Sequence, residues 1–300
     1  MKYSKKMIAD KIKYNIIVEF YNMLHLLSKK KQQIIPKVFS IEKSIEKIIA
    51  DRCSVSRFGD GEILLIGKKP IRFQQESDLL SRRLIEVIQS QNENHLVCIS
   101  DSFQELERYT RRARRFWRTH FYLYGNLWDT YLTPGRSYYN TFITRPYMDF
   151  KSKASSPRWF NLLKGIWTQR SIIFIEGEKS RLGVGNDLFD NASSIRRILC
   201  PPVNAFDKYE AILEKALEQD KNVLFLIALG PTATVLAYDL YQAGYQAIDV
   251  GHVDIEYEWL RMGAMHKVSV PSKYVNEALT GKEIALAMEE DYHRQIICSV

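Results

Sequence analysis

The sequence predicts an α/β protein built on a doubly wound, mostly parallel sheet. From about residue 40, short apolar runs of strand length alternate with segments of helical period, the pattern of strands joined by crossover helices. The alternation is clearest in the second half, where "SIIFIEG", "RRILCPP", "NVLFLIALG" and "QAIDVG" read as buried strands. A length of 300 residues with 46% hydrophobic content suits one principal domain with appendages.

Composition narrows the function classes. Cys53, Cys98, Cys200 and Cys298 are far apart with no CxxC pair, so neither a zinc knuckle nor a disulfide framework is expected, and a reducing, cytoplasmic setting fits. A formal charge of +8 points to an acidic partner: nucleic acid, an anionic membrane surface or a phosphorylated small molecule. No signal peptide or membrane span is expected, because Glu19 interrupts the most apolar early run, "NIIVEFYNMLHLL".

Taken in chain order, Ile8, Ile12, Ile16, Phe20, Met23, Leu24 and Leu27 recur at helical spacing beside Lys5, Lys6, Lys11 and Lys13. This basic amphipathic helix would pack on the main domain, on a second copy of the chain or on a membrane surface. A polar connection, Ser28 to Lys37, follows. "IEKSIEKIIA" is then a helix and "SVSRFG" a strand, whose end carries Asp60 and Glu62 around Gly61. The glycine lets the chain turn so that both carboxylates face one space, where they suit a hard divalent cation or an ordinary turn. "SDLLSRRLIEVIQS" is a helix and "HLVCIS" a strand. In the arginine- and aromatic-rich stretch after residue 108, Phe116, Trp117, Phe121 and Tyr124 would form a buried stripe, with Arg111, Arg112, Arg115 and Arg118 in solvent or against a charged acceptor.

The later strand ends supply three more candidate sites. In "EGEKSRLGVGNDLF", Gly183 and Gly185 permit close backbone approach, and Arg181, Asn186 and Asp187 are placed to meet a nucleotide or sugar. The third glycine of a dinucleotide fingerprint is missing. After "NVLFLIAL", Gly230, Pro231 and Thr232 open a helix whose free amides suit a phosphate, with Thr232 equally readable as a plain cap. In "IDVGHVDIEYEW", His252, Asp254, Glu256 and Glu258 alternate with apolar residues, which on an extended segment would share one face.

In this order, "RFGDGE", "TRPYMD", "EGEKSRLGVGNDLF", "PPVNAFDKY", "LGPTATVLAYDL" and "DVGHVDIEYEW" resemble the bacterial GT-D-fold glycosyltransferases, once catalogued as a domain of unknown function. The resemblance spans roughly residues 45 to 265 and implies a Rossmann-like GT-D fold that transfers sugar from a nucleotide diphosphate donor, typically a UDP-sugar, to a glycan acceptor. It implies manganese or magnesium as cofactor, held by an Asp-x-Glu motif that maps onto Asp60 and Glu62. The chemistry of a departing diphosphate assigns amide contacts to Gly230 through Thr232, and auxiliary positive charge to Arg57 or Arg181. Phe58 and Gly59 lie beside the metal motif, and Asn204, Phe206 and Phe58 are candidates to read and stack on uracil. Glu256, then Asp254, is the expected base that deprotonates the acceptor, with His252 as partner.

The expected organisation is an N-terminal amphipathic helical extension over 1–44, a transferase domain over 45–275 and a helical tail over 276–300. The acceptor is expected to be lipid-linked or protein-linked glycan of bacterial surface polysaccharide or glycoprotein assembly, handled in the cytoplasm at the inner face of the membrane. A homo-oligomer is compatible with the N-terminal helix, and nucleic acid is not an expected partner. The competing function is a non-catalytic nucleotide-binding scaffold in a glycan-assembly complex.

Overall fold

The computed structural model describes residues 5–27, 34–271, 273, 275 and 290–300, with side chains from residue 16 onward in the first stretch. The chain begins with α1 (Lys5–Leu27), β1 (Lys37–Val38), α2 (Ile41–Asp51), β2 (Ser54–Arg57) and α3 (Asp60–Ile66). It continues through α4 (Asp78–Gln89), β3 (His95–Ile99), α5 (Arg111–Tyr131), β4 (Ser137–Asn140) and α6 (Ser156–Trp167). The second half runs β5 (Ser171–Gly177), β6 (Ser194–Cys200), α7 (Tyr209–Leu217), β7 (Leu224–Ala228), α8 (Pro231–Gln242), β8 (Gln246–Asp249) and α9 (Val253–Arg261). After residues outside the described set come α10 (Glu290–Gln295) and β9 (Ile296–Ser299).

Nine described strands form one sheet in the order β1-β4-β3-β2-β8-β7-β5-β6-β9, and every pair is parallel. Alternate residues face opposite layers, as the strand repeat dictates. Val55, Leu96, Phe174, Leu226 and Ile248 enter the core under α2, α6 and α9. Val97, Ile99, Ile175, Phe225 and Ile227 enter the core under α4, α7 and α8. Helices are capped by local side chains: Ser40 accepts from the Lys43 N–H, Ser77 from Leu80, and Thr110 from Ala113.

The strand order reverses between β2 and β8. From β2 the chain winds toward β3 and β4, then crosses to β5 on the other side and returns through β7 to β8. The carboxyl ends at such a switch point diverge and leave a crevice.

Three expectations change. The domain starts before residue 45, because β1 pairs with β4 and α2 opens at Ile41. Within the expected helical tail, 276–289 lies outside the described residues, while the last residues add β9 to the sheet edge beside β6. The stripe of α5 is also rotated. Ala113, Trp117, His120 and Trp128 are buried, Phe121 and Tyr124 are half-buried, and Phe116 is exposed. Arg111 and Arg112 reach solvent as expected, but Arg115 and Arg118 are half-buried and pair with Glu19 and Glu107.

The first helix packs along α5 through Asn22, through Tyr21 against the Tyr122 ring and through the Glu19 to Arg115 pair. This turns Ile16, Phe20, Met23 and Leu27 outward rather than into the fold. The side chains of Ile8 and Ile12 lie outside the described residues. Among the described residues no helix is long and apolar enough to cross a membrane.

The Glu176 carboxylate on β5 and the Arg197 guanidinium on β6 form an ion pair that is almost wholly buried, and Arg197 also donates to the Leu182 carbonyl. Burial alone would push Glu176 toward its neutral form, which Arg197 opposes. Arg197→Met leaves that carboxylate without its cation, and a loss of about 3–5 kcal/mol in urea unfolding is expected. A loss under about 1 kcal/mol would mean that water or another group takes over the role of Arg197.

Candidate active site

The carboxyl ends of β2, β4, β5, β6, β7 and β8 open on one cleft of about 1460 Å³. Arg57, the last residue of β2, lies across the switch point. Its Nε donates to the Asp249 carbonyl at 2.8 Å and its Nη2 to Asp249 Oδ1 at 2.7 Å. Gly251 lies under the guanidinium with φ +44°, and a Cβ there would approach Arg57 Nη2 to 2.0 Å. Only glycine suits both the backbone and the space.

Two residues beyond Arg57, Gly59 caps α3 and donates its N–H to Glu62 Oε2 at 2.7 Å. Asp60 and Glu62 both line the cleft, but they do so from the first turn of helix α3, and Gly61 is helical rather than a sharp turn between them. Burial, the largest cause, raises the Glu62 carboxyl to about 7, helped by the nearby Asp249 and Asp60 carboxylates and opposed by the Gly59 N–H. Burial likewise raises Asp249, against the pull of Arg57.

A divalent cation fits this corner. Clustered, partly desolvated carboxylates are what a hard cation would neutralise. Among the described residues no three His, Cys, Asp or Glu side chains converge as a metal cage. A cation held by Asp60 and Glu62 would therefore keep positions for water and phosphate oxygens, as magnesium and manganese sites at phosphate esters do.

Gly230 follows β7 with φ +55° and ψ −140° and caps α8, whose first residue is Pro231. A Cβ on Gly230 would lie 2.6 Å from the Phe73 ring, so the glycine admits Phe73 over the strand end. Gly230 lines the cleft, whereas Pro231 and Thr232 are buried behind it. Asn204 also lines the cleft. It adopts φ +52°, donates its N–H to the Phe73 carbonyl and accepts from the Gln75 N–H.

Other expected contacts serve the framework. Phe58 is fully buried, and Phe206 packs against Tyr209 in the α7 and α8 core. Arg181 is buried with its guanidinium over the Tyr292 ring; Lys179 and Ser180 of the same loop line the cleft instead. Asn186 donates to Asp254 Oδ1 and Glu258 Oε1, Gly183 donates its N–H to Asp254, and Asp187 holds Lys164 and the Tyr257 hydroxyl.

The segment after β8 is helix α9 rather than an extended strand, so its alternating acids do not share a face. Asp254 and Glu258, one turn apart, both bind the buried Lys273. Glu256 points elsewhere: its Oε2 accepts the Tyr147 and Met148 N–H groups at 3.1 and 2.7 Å, and the residue is fully buried and outside the cleft lining. Burial first, then Asp149, raises its carboxyl to about 7. His252 lines the cleft, and its Nδ1 accepts from Arg145 Nη2 at 3.0 Å, which leaves the hydrogen of a neutral ring on Nε2.

Asp249, Gly251, Phe73, Arg145, Asp149 and Lys179 line the cleft and were not assigned from sequence. The available signals were the acid closing "QAID" at a strand end and the polar residues of "TRPYMD".

Comparison with known proteins matches residues 55–278 to the family described as Glycosyltransferase GT-D fold. The chain belongs to that family. It is 42% identical over 288 residues to a probable glycosyl transferase Gly of Streptococcus gordonii. It is 39% identical over 265 residues to the glycosyltransferase GlyD of Streptococcus pneumoniae serotype 4. These alignments cover 95% and 88% of this chain but 42% and 32% of the relatives, so the chain spans less than half the length of the curated relatives it matches. A solved structure described as domain of unknown function 1792 with a distinct glycosyltransferase fold superposes with TM-score 0.85 at 40% identity, covering 94% of this chain and 99% of that one. A glycosyltransferase of the same domain type from Streptococcus sanguinis also superposes with TM-score 0.85, at 41% identity, covering 88% of this chain and 99% of that one.

The buried Glu256 gives a pH signature. Folded, it keeps its proton up to about pH 7; unfolded, it loses it near 4.5. Between those values the native state binds more protons, so stability falls as pH rises and levels off above 7. Glu62 acts in the same direction. Urea unfolding from about pH 5 to about pH 8 should show a fall of at most about 1.4 kcal/mol per pH unit for each displaced proton, shallower in Glu256→Gln. Identical slopes in the two proteins would mean that Glu256 is already ionised at the acid end.

Proposed function

We propose that this chain is a metal-dependent glycosyltransferase that moves a sugar from a nucleoside diphosphate donor, a UDP-sugar by family resemblance, to a glycan acceptor. The observation that carries the proposal is the convergence, at one switch-point cleft, of the Asp60–Glu62 acid pair with the glycine turn at the start of α8. The donor diphosphate lies between them. When bound, the cation supplies positive charge to the departing diphosphate. The start of α8 turns the positive end of its dipole toward the same phosphates from behind Gly230, while Pro231 carries no N–H and the Ala233 N–H is bonded to the Gly230 carbonyl. Lys179, exposed at the cleft wall, adds a mobile cation. Phe73 and Asn204 shape the floor on which the base rests.

The expected bases are already engaged, Glu256 outside the cleft lining and Asp254 within it. Glu256 holds a backbone loop, and Asp254 is occupied by Lys273, Gly183 and Asn186. His252, with Arg145 on Nδ1, offers a donor rather than a proton acceptor, which suits phosphate or acceptor hydroxyl oxygen. Asp149 is the carboxylate we assign to proton removal. It lines the cleft on the β4 side and is partly exposed, with Lys267 at 3.8 Å. Glu256 positions it by fixing the preceding backbone at Tyr147 and Met148.

The same commitment of Glu256 and Asp254 favours, as a second reading, a non-catalytic nucleotide-binding scaffold. Titration calorimetry with UDP, with and without manganese, separates these readings from failure of both. Binding that tightens with manganese, and loses that gain in Asp60→Ala/Glu62→Ala, is expected. Absence of binding by any nucleoside diphosphate would overturn the proposal. Transfer from a UDP-sugar should fall by about 100-fold or more in Asp149→Asn, with UDP affinity unchanged. Intact transfer in that variant would remove Asp149 from the role of base.

A further inference from the structure

The cleft is larger than its donor requires: about 1460 Å³, against the ~300–1,000 Å³ usual for a small-molecule site. In strand order, the half over β7, β5 and β6 carries Gly230, Asn204 and Lys179, and the acid pair lies centrally at β2. The other half lies over β4, where α5 begins, and its chemistry differs. Arg112 and Phe116 of α5 line it, and Val18 of α1 closes the same wall. Arg112 is exposed and has no ion-pair partner among the described residues. Phe116 is 37% exposed, a large ring open to a cleft rather than packed in a core.

The helix that closes this wall also carries an unburied apolar stripe. Ile16, Phe20, Met23 and Leu27 recur at helical spacing and are 64%, 51%, 51% and 73% exposed. The earlier turns of α1 carry Lys5, Lys6, Lys11 and Lys13 in sequence. Glu19 fastens this helix to Arg115 of α5 at 2.7 Å, so stripe and cleft wall belong to one helix pair.

We propose that the β4 half of the cleft receives the acceptor, and that the acceptor is a membrane-held saccharide linked to lipid through a diphosphate. The inference rests on the glycosyltransferase reading above. A guanidinium offers phosphate oxygens two parallel hydrogen bonds, which assigns the diphosphate to Arg112. The apolar face of a pyranose packs on an open aromatic ring, which assigns the sugar to Phe116. A lysine-bearing helix with exposed Phe, Met and Ile lies in the boundary layer of an anionic membrane, which brings the lipid to the cleft mouth.

The test is co-sedimentation of the full chain with vesicles of phosphatidylcholine alone, with added phosphatidylglycerol, and with added polyprenyl diphosphate at matched charge. The polyprenyl diphosphate vesicles should bind most tightly. Arg112→Ala should weaken that binding about tenfold, the size of one charge-assisted contact. Phe20→Ser/Met23→Ser should weaken binding to both charged vesicles. One hexose added to the polyprenyl diphosphate should tighten binding by the wild type but not by Phe116→Ala. Equal binding to the two charged vesicles would overturn the diphosphate subsite, and no binding to any vesicle would overturn the whole proposal in favour of a water-soluble acceptor. UDP titration of the same samples separates the failures: retained UDP binding with no vesicle binding sinks this inference alone, whereas loss of both sinks the reading beneath it.

Discussion

The site depends on the bond that Arg57 makes to Asp249. Strands β2 and β8 meet in register at a single pair, Val55 with Ile248, and the sheet divides there into its two windings. Side chains complete the junction. Ser54 Oγ accepts from the Ala247 N–H, and Arg57 holds both the carbonyl and the carboxylate of Asp249. This fixes the end of β2 relative to the end of β8, and so fixes Asp60 and Glu62 relative to His252. The glycine at 251 is a consequence, because the guanidinium fills the space a side chain would need.

A second layer of buried polar groups holds the loops around this junction. Glu176 with Arg197 ties the Leu182 loop to the sheet, whereas Asp254 with Lys273 and Asn186, and Glu256 with the Tyr147 and Met148 amides, tie neighbouring segments to α9. Buried charges of this sort are costly to leave unpaired, so they constrain geometry even where their net contribution to stability is small. Much of what looks chemical in these acid- and glycine-rich blocks is therefore framework that aims a smaller set of residues. The residues left facing the cleft are short acids at strand ends, a glycine turn, and cations on its two walls.

The alternation of strands and helices was legible in the sequence because buried parallel strands must be nearly continuous apolar runs. The short strands β1, β4 and β9 were not, since "KV", "SYYN" and "IICS" are too brief to show a period. The placement of Asp60 and Glu62 was legible for a similar reason: their spacing just past a strand is a local property, and both line the cleft. The rotated stripe of α5 was not, because tryptophan, phenylalanine and tyrosine occupy so much of that helix that helical spacing alone does not select one face.

By itself the sequence determined the fold class, the strand ends over which the cleft opens, and the position of the acids Asp60 and Glu62 just past β2, all of which follow from patterns within a few residues. Tertiary structure alone decided which candidates face the cleft. Glu256, Arg181, Asn186 and Asp187 have the same chemistry as residues that line a site, but their partners, at Met148, Tyr292, Asp254 and Lys164, are 23 to 111 positions away in the chain. Asp249 gains its importance from Arg57, which is separated from it by 192 residues. Whether a polar side chain serves as framework or as chemistry is set by what the fold brings to meet it, and local spacing carries no record of that encounter.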